Sequence, residues 1–206
     1  MRAERCYRQA IRVVDERTNP LAARFALNNL AVTRCLRGDD AGAREVFKRV
    51  LASNERVGDL YDIAVAHNNV AEIELRLGEA RSASEHARRA VSLGERIAAH
   101  ADLPDFYRNL AEACAALGDL DGGVELSGKA LVLAEQGGGR VYLAQVAVTL
   151  ARILRDASKA PSDATCRRVA SATAALKRVL EARGDAPELR EAVEACKGLL
   201  GEGADG

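Results

Sequence analysis

The chain has 206 residues, 48% hydrophobic and 29% charged, with 30 basic and 30 acidic side chains and a formal net charge of +0. That length supports one domain or one repeat array with a substantial core, and balanced charge supplies no field to draw in nucleic acid or an anionic membrane. No apolar run approaches the roughly twenty residues needed to span a bilayer, and the N-terminal MRAERCYRQAIR is too charged for a secretory leader, so a cytoplasmic protein is expected.

Tryptophan is absent, aromatics make up 3%, and Ala, Leu, Arg and Glu dominate, a bias that favours helices over sheets. Cys6, Cys35, Cys114, Cys166 and Cys196 contain no C-x-x-C pair, so neither a zinc site nor a disulfide framework is indicated and all five read as reduced, buried small hydrophobes.

In chain order, residues 1–17 predict a helix with the apolar face Tyr7, Ile11 and Val14. Its small residues Ala3 and Ala10 recur at steps of 40 residues, as Ala43 and Val50, Ala83 and Ala90, and Gly123 and Ala130. This helix is therefore the second half of an incomplete unit, and the chain is expected to be a piece of a longer protein.

Residues 18–59, 60–100 and 101–140 each predict a helical hairpin. The first helices carry Leu30-Ala31, Val70-Ala71 and Leu110-Ala111, and end at Gly38, Gly78 and Gly118, residues suited to a left-handed C-cap. An Asp or Glu then opens each second helix, where an acid is favoured at the positive end of the dipole. The small columns let antiparallel helices cross closely. In the third unit Gly122, Gly123 and Gly128 are expected to weaken the second helix by about 0.5–1 kcal/mol each relative to Ala, so Gly123→Ala is expected to stabilise it.

Residues 141–183 form a divergent unit with Leu150-Ala151, Ser158 in place of the turn glycine, and the insertion KAPSDA. Leu189, Val193, Cys196 and Leu200 predict an amphipathic capping helix over 184–200, and 201–206 a disordered tail. A hairpin cannot bury both its faces alone, so the units must stack, and the whole is one domain.

The N-L-A run, the Gly-Asp turn and the paired small residues resemble the tetratricopeptide signature over residues 1 to about 183. The period of 40 exceeds the usual 34 and is similar to that of LGN-type adaptors and many bacterial signalling and transcription-regulating proteins. The resemblance implies an all-α, right-handed solenoid of stacked antiparallel helix pairs and a bacterial regulatory or scaffold module. Late in the first helix, where the family has a bulky aromatic, stand Arg34, Glu74, Cys114 and Leu154; Arg34 and Glu74 are expected to pair.

No catalytic constellation is evident, and no enzyme activity, cofactor or metal is expected. The Gly201, Gly203, Gly206 pattern lacks the strand and helix of a dinucleotide site. His67, His86 and His100 are not at metal-binding spacing, and His67 reads as a packed residue. Arg167, Arg168, Lys177 and Arg178 read as a solvated helix face rather than a nucleic-acid surface.

The candidate site is the asparagine column Asn29, Asn69 and Asn109, preceded by Asn28, Asn68 and Arg108. Mid-helix asparagine has no capping role, and the resemblance implies that it clamps the backbone of a protein or peptide ligand on the concave face, extended or helical. Glu72, Glu112 and Arg152 lie one turn along and complete a partner-binding set of mixed charge. Two alternatives stand beside this: amides that only set helix stacking, and a homodimerisation arm using the uncovered N-terminal helix. Neither nucleic acid nor membrane is expected as a partner.

Overall fold

The computed structural model describes residues 4–7, 9, 19–137, 140–159, 163–183, 190 and 194. Among these there is no strand. Residues 4–7 are helical, followed by α1 (Pro20–Cys35), α2 (Asp40–Val57), α3 (Leu60–Arg76), α4 (Ala80–Arg96), α5 (Leu103–Ala116), α6 (Leu120–Gly137), α7 (Arg140–Ala157) and α8 (Asp163–Arg183). The chain divides into two compact units, residues 1–97 and 98–206. The expected capping helix and tail lie outside the described residues, save Arg190 and Glu194, which are helical.

The turns follow from their residues. Gly38, Gly58, Gly78 and Gly118 take φ of 76°, 81°, 77° and 88°, the left-handed region that ends a helix without a Cβ penalty. The amides of Asp39, Glu79 and Asp119 then bond back to the carbonyls of Arg34, Glu74 and Cys114 at 3.0, 2.8 and 2.9 Å. The Asp39 and Asp119 carboxylates accept from the Gly42 and Gly122 amides at 3.0 and 2.9 Å, and Asp59 accepts from Tyr61 and Asp62. Glu79 opens α4 without a side-chain cap and is held by Arg44 at 2.6 Å.

In the first unit α1 packs on α2, α2 on α3 and α3 on α4. Leu27, Leu30, Ala31, Ala43, Val46, Phe47, Val50, Ala66, Val70 and Ile73 form a buried cluster, with Tyr7 and Cys35 packed against it. Tyr7 therefore faces this unit's own core, while Ile11 and Val14 lie outside the described residues. The second unit stacks α5 on α6, α6 on α7 and α8, and α7 on α8. Leu110, Leu131, Leu150, Leu154 and Leu176 are buried there.

The expected Arg34–Glu74 pair is absent. Arg34 instead donates to the Gly42 carbonyl at 2.8 Å and lies near Glu4 and Asp39, because it stands beside the α1–α2 turn. Glu74, fully buried, takes Lys48 of α2 at 3.1 Å. The cysteines also differ from expectation: Cys114 is buried, Cys35 half-buried and Cys6 exposed. On α8, Arg168 and Arg178 face Glu125 and Glu135, and Lys177 faces Glu181.

The expectation for Gly123 reverses. A Cβ there would lie 3.2 Å from the Ala111 carbonyl oxygen and 3.3 Å from Ile153 Cγ2, and a helix carbonyl cannot retreat as a flexible side chain can. Gly123→Ala is expected to lower stability, the overpacking penalty of about 1–3 kcal/mol outweighing the roughly 0.5–1 kcal/mol gained in helix propensity. A methyl group at Gly128 would meet nothing within 4 Å, so Gly128→Ala should raise stability by about 0.5–1 kcal/mol. Urea unfolding of the two variants should move in opposite directions; two shifts of the same sign would refute the close-approach account.

Candidate protein-binding groove

The first helices of the two units have different surfaces. In α1 the core-facing positions Ala23, Ala26, Leu27, Leu30 and Ala31 are buried, yet Leu21, Phe25, Val32 and Leu36 on another face are 67%, 70%, 42% and 84% exposed. The element is apolar on two sides, and among the described residues only one is covered. α1 and α3 meet through a few polar side chains and not through close backbone packing. Two open hollows lie between them, floored by α2.

One hollow, of about 230 Å³, is lined by Val32 and Cys35 of α1 and Leu36 at its C-terminal end, Phe47 of α2, and Asn69, Glu72, Ile73 and Arg76 of α3. The other, of about 200 Å³, is bounded by Leu21, Phe25 and Asn28, by Val50 and Asn54, and by Asp62, Val65 and Asn69. Both are smaller than the roughly 300–1,000 Å³ of small-molecule pockets, a size that suits protruding side chains of a partner. Burial pushes the Cys35 thiol up, against the lowering influence of Arg76, so the neutral, apolar thiol faces the hollow.

Polar bridges brace the walls. Arg24 donates to Asp62 at 2.8 Å and to Asn54 at 3.1 Å, Asn54 donates to the Asp62 carbonyl at 2.8 Å, and Arg76 meets Asp40 at 2.7 Å.

The asparagine column does not present one environment. The Asn29 amide donates to the Phe25 carbonyl of its own helix at 2.8 Å. Asn69, half-buried and lining both hollows, donates to Asn28 Oδ1 at 3.3 Å. Asn68 is 3% exposed and Asn109 has no exposure at all. The structure thus brings Asn28, Asn69 and Glu72 to the groove of the first unit.

In the second unit the corresponding helices, α5 and α7, pack directly on each other. Asp105 pairs with Arg108 at 2.7 Å, Arg108 approaches Glu112 at 3.6 Å, and Glu112 approaches Arg152 of α7 at 3.7 Å. The fourth position of the asparagine column is Thr149, buried and bonded by Arg152. Burial, then the Asp105 and Asp102 carboxylates, push the Tyr142 phenol up. Lys129 sits 4.2 Å over the Tyr107 ring and donates to its hydroxyl. Here the two helices pack directly and a ladder of charges lines their seam, whereas in the first unit a few polar bridges span an open groove.

His67 is buried, as a packed residue should be, and its Nδ1 meets His86 Nδ1 of α4 at 2.8 Å. Among the described residues no group of three or more His, Cys, Asp or Glu is placed to hold a metal, and no helix is long and apolar enough to cross a membrane.

The family model for the tetratricopeptide repeat matches residues 21–96. These residues are tetratricopeptide repeats. Solved structures extend the likeness in fold along the chain. The apo form of RapI is 15% identical with a TM-score of 0.67, covering 96% of this chain and 77% of that one. BtubC (BKLC) from P. vanneervenii is 17% identical with a TM-score of 0.62, over 99% and 91%. The putative kinesin light chain TPR-like repeats of Podosopora anserina are 13% identical with a TM-score of 0.64, over 89% and 86%. No curated protein matches the chain. Tetratricopeptide repeats generally mediate protein–protein interaction, and the fold is the all-α stack of antiparallel helix pairs expected.

The sequence reading missed Leu21, Phe25, Leu36 and Arg76 as groove residues. The signal was present: apolar residues at 21, 25, 32 and 36 share a face that 23, 27, 30 and 31 do not use.

Proposed function

We propose that this chain is a non-catalytic interaction module, the regulatory or scaffold part of a larger protein, that holds a partner's peptide or helix in the groove between α1 and α3. The observation that carries this reading is the exposed row Leu21, Phe25, Val32 and Leu36 beside two open hollows. Large apolar side chains left in water at this density mark an interaction site, and aromatic anchors beside a polar rim are where binding energy concentrates. Asn28, Asn69 and Glu72 supply the polar contacts. Arg108, Asn109, Glu112 and Arg152 serve chiefly to hold α5 against α7.

The test is co-purification from source cells with the intact chain as bait. Phe25→Glu should abolish recovery of a specific partner and Asn69→Ala should reduce it about 5- to 100-fold, the loss of one buried hydrogen-bonding group, while Arg88→Ala on α4 leaves it unchanged. Recovery that tracks only the folded fraction of each variant would overturn the groove. A dimerisation arm on the N-terminal helix is disfavoured because Tyr7 already packs on the core of its own unit.

A further inference from the structure

The exposed face of α1 has an internal symmetry. On a helix, residues four apart form ridges, and this face carries two of them: Leu21–Phe25–Asn29 and Asn28–Val32–Leu36. Read in the reverse direction, the second becomes Leu36–Val32–Asn28, large apolar, apolar, asparagine, the same order as the first. A two-fold axis placed between residues 28 and 29 exchanges the two ridges. It sets Leu21 opposite Leu36, Phe25 opposite Val32 and Asn28 opposite Asn29 of another copy.

That is the condition an isologous interface must meet, since both copies present one self-complementary patch. We propose that the occupant of this face is a second copy of the chain, docked antiparallel, α1 against α1.

Three further observations favour the second copy. The four large side chains are 42–84% exposed although they border the hollows, so much of their apolar surface is left for a partner helix to cover. The basic groups beside the ridges are already engaged, Arg24 by Asp62 and Arg37 by Glu4, and the net charge is +0, so no repulsion separates two copies. At the axis, Asn28 and Asn29 each use one hydrogen-bonding valence within the chain, and a primary amide has capacity for more. Amides set opposite one another at the centre of the seam can bond across it, and any shifted register would bury them against apolar side chains without a partner.

α1 spans 16 residues, roughly 24 Å at 1.5 Å per residue. One helix crossing of that length buries less than the roughly 1,000 Å² of stable complexes, so the dimer is weak and forms with rising concentration. Because the same side chains line the groove, dimerisation closes it to the partner, a consequence that rests on the function proposed above.

Sedimentation velocity of the full chain over a range of concentrations tests this. The mass should rise from one copy towards two, and the double variant Phe25→Glu, Val32→Glu should remain a monomer with unchanged helical circular dichroism. Register is read separately: under mild oxidation Asn28→Cys should cross-link to itself far faster than Leu36→Cys, which lies opposite Leu21, with the parent chain as the control for Cys6 and Cys35. A monomer at every concentration overturns the proposal, as does a dimer that survives the double variant or equal self-cross-linking at 28 and 36. A monomer that still loses its partner on Phe25→Glu would refute the dimer and leave the partner groove standing.

Discussion

Lys48→Met is expected to destabilise the unit of residues 1–97 by about 2–4 kcal/mol. Glu74 has no side-chain exposure, and Lys48 Nζ, on a side chain 43% exposed, lies 3.1 Å from its Oε1. Removing the cation leaves a fully buried carboxylate without its ion-pair partner, with Arg44 and His86 as the other charged or titratable groups that act on it. The penalty stays below the roughly 3–5 kcal/mol of a fully buried pair because water reaches the lysine end.

A second substitution isolates the cause. In the double variant Lys48→Met, Glu74→Leu no charge remains to be desolvated, and most of the lost stability should return. Urea unfolding of the four chains gives the coupling directly. If Lys48→Met alone costs under about 0.5 kcal/mol, as an ordinary surface change does, Glu74 is not held by this pair.

Acidification is expected to remove about 1–2 kcal/mol from the same unit between pH 6.5 and 4. Burial holds the His67 imidazole down, from 6.5 to about 4, with His86 and Arg89 adding to the effect. His86 is also lowered, chiefly by burial; Lys48 and Arg89 act in the same direction, while Glu74 and Glu85 oppose it.

The bond between the two Nδ1 atoms requires one ring to keep a bare nitrogen, whichever donates. In the unfolded chain His67 takes up a proton as the pH falls through 6.5, whereas in the folded chain it resists until about 4. The unfolded state therefore binds more protons in that window. The stabilisation is complete above pH 6.5 and disappears as the pH falls to 4. The magnitude is less than the full pKa difference would imply because the pair is partly screened.

His67→Gln should flatten this slope relative to the parent chain between pH 6.5 and 5, above the range where carboxylates titrate. Hydrogen exchange in α3 and α4 should report the loss locally. Parallel pH profiles for parent and variant would show that the imidazoles titrate normally in the fold.

Much of the fold was legible in the sequence because it depends on local chemistry repeated every 40 residues. Gly38, Gly78 and Gly118 end helices, since only glycine adopts their φ values without strain. Asp39 and Asp119 open the next helices because a carboxylate three residues back reaches an unsatisfied amide. Leu30-Ala31, Val70-Ala71, Leu110-Ala111 and Leu150-Ala151 are all buried, as a periodic apolar stripe demands.

The candidate site was less legible. Asn29, Asn69 and Asn109 share a column, yet one bonds its own helix, one bridges to Asn28 and one is sealed from solvent. Position within a repeat decides which way a side chain leaves its helix, not what the adjacent helix places against it. The same holds for Glu74, which turned to Lys48 and not to Arg34.

The sequence by itself determined the helix-ending turns at Gly38, Gly78 and Gly118, the acidic residues that open the following helices, which stripe is buried, and that hairpins must stack, since those follow from backbone conformation and periodicity within a few residues. Only the tertiary structure decided that α1 and α3 leave a groove spanned by a few polar bridges while α5 and α7 pack directly along a ladder of charges. It alone placed Ile153 and the Ala111 carbonyl against Gly123, and His86 against His67. Each of these depends on how groups from different helices are packed against one another, a quantity that tertiary packing sets and no periodicity encodes.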